Sequence, residues 1–207
     1  VGIDLGINNY LVTSNNEKID NPKHLRKSLE HLKYLQKQSS KKVKGSQNRK
    51  KANYKVALQY EYIANQRKDF LHKLSTQLIK NHDTLCFEDL DIASMVKRLD
   101  SIEDPLKPGN YLHNGQSQKR GLNKSILDCG WGMFVEFCEY KADWYGRQLV
   151  FINRYFPSSK RCSNCSYINQ NLTLSDRTWI CPKCKTKHDR DYNAATNIHN
   201  IGMSWFN

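Results

Sequence analysis

Cys162-Ser-Asn-Cys165 and Cys181-Pro-Lys-Cys184 stand fifteen residues apart near the end of the chain. Two such pairs at this separation close on one tetrahedral metal site, and four thiolates select zinc. Cys162, Cys165, Cys181 and Cys184 fill the coordination shell, so the expected zinc is structural. It staples a loop too small to fold alone. His188-Asp-Arg-Asp191-Tyr-Asn193 follows almost at once. Carboxylates so close behind the knot must be delivered by it to a particular place, and other carboxylates are expected to meet them there.

The 207 residues fit one sizeable domain, with or without a small module. Lys and Arg number 33 against 20 Asp and Glu, a formal net charge of +13. That balance points to a polyanionic partner, with nucleic acid first, and away from a membrane, because no long apolar run exists. Cys86, Cys129 and Cys138 lie in apolar segments and read as buried free thiols. With no signal peptide pattern, this implies a reducing, cytoplasmic and nucleoid-associated setting. The chain opens in mid-strand on Val1-Gly-Ile-Asp4 without Met, and reads as a fragment or a piece cut at a domain edge.

Residues 1–6, Tyr10-Leu-Val-Thr13 and a short run through Lys18-Ile19 form a β-meander, divided by Asn-Asn turns. Leu25, Leu29, Leu32 and Leu35 then fall at helical spacing. Lys41 to Lys51 holds six basic residues and no acid, with Gly45-Ser46 as a breaker. A longer helix follows, with Val56, Tyr60, Ile63, Phe70, Leu74 and Leu78 on one face and Arg67 interrupting it. The pair makes a helical hairpin, about 22–81, with a basic tip. Thr84-Leu-Cys-Phe87 is a buried strand ending in Glu88-Asp-Leu-Asp91. Residues 92–118, with two Pro and two Gly, read as a long loop. Residues 120–145 read as one helix, with Leu127, Trp131, Phe134, Cys138, Ala142 and Tyr145 on one side. Gln148-Leu-Val-Phe-Ile152 is a strand, and the chain closes on a short helix from Asn193. The order predicts an α/β, ribonuclease-H-like mixed sheet with flanking helices, a helical hairpin insertion and a zinc ribbon.

Asp4 lies between Ile3 and Leu5 in an inner strand, Glu88 ends another, and Asp191 opens the last helix. A carboxylate in a buried strand is costly unless a cation or hydrogen bonds compensate it. Three at element ends argue for a shared site in which hard oxygens hold Mg²⁺ or Mn²⁺. Two such ions activate water and stabilise the leaving oxygen of a phosphodiester. Asp89 and Asp91 compete with Glu88 for the second place, and Asp189 with Asp191 for the third. Spacing alone does not choose, since Asp189 also suits a helix cap.

Gly2-Ile-Asp4-Leu-Gly6, Phe87-Glu88-Asp-Leu90 and His188-Asp-Arg-Asp191-Tyr-Asn-Ala-Ala195 resemble the three RuvC motifs of the transposon-encoded TnpB (OrfB) family, relatives of the type V CRISPR effectors. Phe156-Pro-Ser-Ser-Lys160 and Ala64-Asn-Gln-Arg67-Lys-Asp-Phe70 are similar to the same family. The motifs keep the family's order, and the resemblance runs over essentially the whole chain. It implies the nuclease part of an RNA-guided DNA endonuclease: Asp4, Glu88 and Asp191 as the acids, the third being the one two residues before Asn193, with a guide RNA and a DNA substrate as partners. Wedge and recognition domains precede the first motif in the family and are absent from this chain.

The resulting division is a nuclease core over 1–155, a ribbon over 156–188 and a closing segment over 189–207 that carries the third acid. Lys41, Lys42, Lys44, Arg49, Lys50 and Lys51 at the hairpin tip, and Arg190 beside the third acid, are the candidate nucleic-acid contacts. Trp179, Lys183, Lys185 and Lys187 are candidates on the ribbon, with His188 as an outer contact to the metal site or to phosphate. The competing reading is a DNA- or RNA-binding transposon remnant without catalysis. A DDE-type transposase is disfavoured by a ribbon lying between the second and third acids.

Overall fold

The computed structural model describes residues 1–173 and 175–206. Residue 174 of the expected ribbon and residue 207 of the closing segment lie outside the described residues. β1 (Gly2–Leu5), β2 (Asn9–Thr13) and β3 (Lys18–Asp20) form the expected meander. α1 (His24–Ser40) and α2 (Gln47–Asn81) form the hairpin. Gly45 turns the chain at φ +85°, and the Ser46 hydroxyl caps α2 by accepting from the Arg49 amide. β4 (Thr84–Glu88) then enters the sheet.

The next segment differs from its reading as a loop. It contains α3 (Ile92–Val96), the small hairpin β5 (Ile102–Glu103) and β6 (Tyr111–Leu112), and the first residues of α4 (Gln116–Cys129). Its order comes from polar contacts that carry no periodicity: Asp91 caps α3, Lys119 reaches the Met95 carbonyl, and the Asn123 amide reaches that of Val96. The single helix expected over 120–145 is two, because Gly130 adopts φ +67° and separates α4 from α5 (Trp131–Tyr145). β7 (Gln148–Ile152) completes the sheet. β8 (Thr178–Ile180) and β9 (Lys187–Asp189) form the ribbon hairpin, and α6 (Arg190–Met203) closes the described chain.

The sheet order is β3-β2-β1-β4-β7, with β1–β2 and β2–β3 antiparallel and β1–β4 and β4–β7 parallel. Three antiparallel strands continued by two parallel ones, with helices on both faces, make the ribonuclease-H-like arrangement expected from the sequence. The faces follow the period of two. Ile3, Leu85 and Phe87 point into the core under α2 and α5, with Leu71, Leu74, Leu78, Phe134 and Cys138. Cys86, Val150 and Ile152 point the other way, onto Ile198 of α6. Cys86, Cys129 and Cys138 are buried free thiols.

α2 buries Ile63, Leu71, Leu74, Ser75, Leu78 and Ile79, none of them in its first sixteen residues. Its first sixteen residues, about 24 Å at 1.5 Å per residue, pack on α1 and project past the sheet as a basic arm. Tyr60, assigned to the buried face by spacing, is exposed there; so are Leu127 on α4, where the break at Gly130 shifts the helical phase, and Tyr145, the last residue of α5. Arg67 does not interrupt the core face. Its guanidinium bonds to the Asp128 carboxylate at 2.9 Å and to the Asp128 carbonyl at 2.8 Å, joining α2 to α4. Among the described residues, no helix is long and apolar enough to cross a membrane.

Candidate active site

Two glycines set the sheet against α6. A methyl group at Gly2 would lie 2.2 Å from the Ala195 carbonyl oxygen, and one at Gly202 would lie 2.5 Å from Cys86 Sγ. Only hydrogen fits at either point, so α6 crosses β1 and β4 at backbone contact. Alternation puts Asp4 on the same face as Gly2, and Glu88 on the same face as Cys86. Gly2 pairs with Cys86 and Ile3 with Phe87 in the parallel ladder, so Asp4 and Glu88 stand side by side on neighbouring strands, under α6.

The first turn of α6 passes over this row. Asp189 caps the helix by accepting from the Tyr192 amide at 3.1 Å, and pairs with Lys18 of β3 at 2.7 Å. Burial opposes the Asp189 charge, but Lys18 and the amides outweigh it and hold the carboxyl below the usual range. Asp191 lines one cleft of about 510 Å³ with Asp4, Ser159, Arg177 and Arg190. Glu88 opens on an adjoining hollow of about 410 Å³ with Pro157, Ser158, Lys160 and Arg190. Ser159 and Arg190 edge both openings or divide them. Asp89 and Asp91 turn away to Arg154.

Burial, and then the charges of Asp191 and Glu88, push the Asp4 carboxyl well above the usual range; Arg190 offsets part of this. Burial also raises Glu88, against a hydrogen bond from Ser158 Oγ, which stands 3.5 Å from Glu88 Oε2. A buried carboxylate raised by the acids beside it is short of positive charge, and a divalent cation supplies it. The set fits Mg²⁺ or Mn²⁺ by donor chemistry. Among the described residues, however, the carboxylates do not form a group with ligand atoms all within 4.8 Å, as the cysteines do. Sequence reasoning named Arg190, whose Nη1 donates to the Thr173 carbonyl at 3.1 Å. It missed Arg177, 3.7 Å from Asp191 Oδ1 at the mouth of the ribbon. No local pattern marks an arginine that reaches its carboxylate only through the tertiary fold.

Cys162, Cys165, Cys181 and Cys184 form a cluster able to hold a metal ion, with sulfurs within 4.8 Å of one another. Cys162–Cys184 and Cys165–Cys181 are each 3.6 Å apart. A tetrahedron with zinc–sulfur bonds of 2.3 Å has edges of about 3.8 Å, so zinc fits the cluster. Hydrogen bonding with Thr186 holds the Cys184 thiol down at about 5, while burial pushes Cys162 up to about 12. His188 Nε2 lies 3.1 Å from Cys162 Sγ, outside the quartet but touching it. Trp179, a sequence candidate for DNA contact, is instead buried in the ribbon core against the His188 ring, 4.7 Å between centroids. Lys183, Lys185 and Lys187 are exposed. The hairpin cations Lys41, Lys42, Lys44, Lys50 and Lys51 are exposed and Arg49 partly so; all lie on the arm, away from the acids.

Residues 1–99 match a family model described as a probable transposase, OrfB_IS605, and residues 131–198 match the Cas12f1-like TNB domain. A putative RNA-guided DNA endonuclease of Streptomyces pristinaespiralis is 42% identical over 204 residues, covering 99% of this chain and 45% of that protein. The putative RNA-guided DNA endonuclease InsQ of Escherichia coli K12 is 33% identical over 198 residues, covering 96% and 48%. The chain thus spans about half the length of these curated relatives. In a cryo-EM structure of a Cas12f1–sgRNA–target DNA complex, one chain superposes with a TM-score of 0.59 at 20% identity, over 95% of this chain and 37% of that one, which establishes the shared fold. Motifs, strand order and these relatives agree, and the chain belongs to the TnpB (OrfB) family.

Proposed function

We propose that this chain is the nuclease part of an RNA-guided DNA endonuclease, hydrolysing DNA phosphodiesters with divalent cations held by Asp4, Glu88 and Asp191. The observation that carries the reading is the register: Asp4 and Glu88 lie one step beyond the Ile3–Phe87 pair, under the helix whose first turn bears Asp191. When bound, Mg²⁺ or Mn²⁺ would supply an activated water and charge stabilisation at the leaving oxygen. The chain's own groups do the rest. Arg190 and Arg177 hold phosphate oxygens at the two sides of the acids. Lys18 keeps Asp189 as a cap, so that Asp191 faces the cleft. In this reading the cysteines hold one structural zinc, which fixes the ribbon (156–188) between the core (1–155) and the segment carrying the third acid (189–207).

The arm deepens the reading. Residues 31–60 contain nine Lys or Arg and no Asp or Glu. Tyr34, Tyr54 and Tyr60 are exposed among them. This surface suits phosphate contact with the guide RNA or the target DNA, the partners named for the similar proteins. A second reading, binding without cleavage, is favoured by the Arg177–Asp191 contact, which already answers part of the acidic charge. One assay separates them. Single-stranded DNA is incubated with the chain in Mg²⁺ or Mn²⁺, beside Asp191→Asn. Metal-dependent cleavage lost in the variant is expected. Tight binding with no cleavage by either protein would overturn the nuclease reading for this chain.

A further inference from the structure

Asn193 and Asn197 are buried amides, 1% and 3% exposed, in a helix that otherwise buries Ala194, Ala195 and Ile198. They stand four residues apart and so share one face of α6. Asn193 Nδ2 donates to the carbonyls of Arg161 at 2.7 Å and Ser158 at 3.4 Å. Asn197 Nδ2 donates to the same two carbonyls, at 2.6 Å and 2.8 Å. Two amide groups with four N–H bonds therefore occupy the four lone pairs of two carbonyls. Asn193 Oδ1 accepts the Ser163 amide at 3.0 Å. The helix thus grips the 158–163 segment from both sides of its turn.

That segment reaches both Glu88 and the cysteine quartet. Ser158, itself 4% exposed, directs its hydroxyl to Glu88. Cys162, between the two gripped ends, is the first cysteine of the quartet. Asp191 lies two residues before Asn193 on the same rigid helix. We propose that Asn193 and Asn197 are positioning residues: they lock the 158–163 segment to α6 and thereby fix Glu88 and the ribbon relative to Asp191. The inference rests on the reading that the three acids hold a divalent cation. A shift of α6 along its axis would move Asp191 and release both carbonyls together, so the acids keep one relative geometry only while the amides hold.

The test reads cation binding directly, without cleavage. Mn²⁺ is titrated into the chain and free Mn²⁺ is followed by electron paramagnetic resonance. The variants are Asp191→Asn, Asn197→Ala and, as a control on the same helix, the exposed Asn200→Ala. Wild type and Asn200→Ala should bind alike, Asp191→Asn should lose the site, and Asn197→Ala should bind about tenfold or more weakly, the usual cost of removing a group that orients a ligand. Asn197→Ala binding as wild type would overturn the clamp and leave the nuclease reading intact. Mn²⁺ binding absent from wild type, or unchanged in Asp191→Asn, would overturn the acidic site and the clamp with it. Hydrogen exchange on the unmodified chain avoids any folding defect. Mn²⁺ should slow exchange at the Ser163 amide, and an unchanged rate there, with Mn²⁺ bound, would equally overturn the coupling.

Discussion

Replacing Asp4 by Asn should make the cation-free protein more stable, although it removes a residue of the proposed site. Asp4 and Glu88 lie on neighbouring parallel strands, one step past a paired register, on the same face. Strands are about 4.8 Å apart. Two unit charges at about 5 Å, with an effective dielectric of about 20, repel by about 3 kcal/mol. Arg190 offsets part of this and burial adds to it. The isosteric amide should therefore gain about 1 to 3 kcal/mol near pH 8. For a chain of this size that is roughly 3 to 10 °C in Tm.

The pH dependence has a definite sign. The folded-state pKa of Asp4 is raised, so its contribution to stability is fully present below the unfolded value of about 3.9 and is lost as pH rises through the folded value. The gap between variant and wild type should vanish near pH 4 and widen toward pH 8. Saturating Mg²⁺ should narrow or reverse it, because ligand at about 100 times Kd stabilises the binding protein by about 2.7 kcal/mol. The assay is urea unfolding at pH 4, 6 and 8, in Mg²⁺-free buffer and then with Mg²⁺. It uses no chelator, so the cysteine site stays undisturbed. A variant less stable than wild type at pH 8 without Mg²⁺, or a gap that does not change with pH, would refute the argument that Asp4 is held against its charge.

Cys181→Ser should abolish binding of one zinc ion per chain and, with Co²⁺ as the probe, the thiolate charge-transfer absorption of a four-sulfur site. Purified wild type without zinc would contradict the fit of the sulfurs. Gly2→Ala places a methyl 2.2 Å from the Ala195 carbonyl oxygen, and should cost about 3 kcal/mol or more in urea unfolding by forcing α6 off β1. A cost below about 0.5 kcal/mol would mean the contact is loose. Lys50→Ala with Lys51→Ala on the arm should weaken nucleic-acid binding at every sequence and lower the slope of log K against log salt by about 1 to 2. An unchanged slope would remove the arm from the interface.

The local signals in this chain were strong where chemistry repeats at fixed spacing. The cysteine pairs, the strand-embedded Asp4, the strand-ending Glu88 and the Gly45-Ser46 breaker each carry their meaning within a few residues. Residues 92–118 were opaque because capping and side chain-to-carbonyl bonds, not periodicity, order them. The phase of the long helix pattern misled at Tyr60 because the arm leaves the core behind, so an apolar spacing persists with nothing to bury it. At Leu127 one residue in the left-handed region, Gly130, resets the phase, and Tyr145 ends α5 beyond its buried face. Asn193 and Asn197 could have been noticed, since two amides one turn apart in a small-residue helix need buried partners, but nothing local names the Ser158 and Arg161 carbonyls.

The sequence by itself determined the five strands of the central sheet, the helical hairpin and the closing helix, the sulfur site, and the set of acids from which the site is drawn. It could not choose between Asp189 and Asp191 from spacing, because both lie at the start of one helix. Tertiary structure separates their surroundings. Lys18, 171 residues before it in the chain, takes Asp189 as an ion pair, and Asp191 is left beside Asp4. Parallel register, backbone contact at Gly2 and the reach of Arg177 are likewise properties of segments far apart in the chain. Their positions are set by packing across the sheet, and packing is not written in any one stretch of residues.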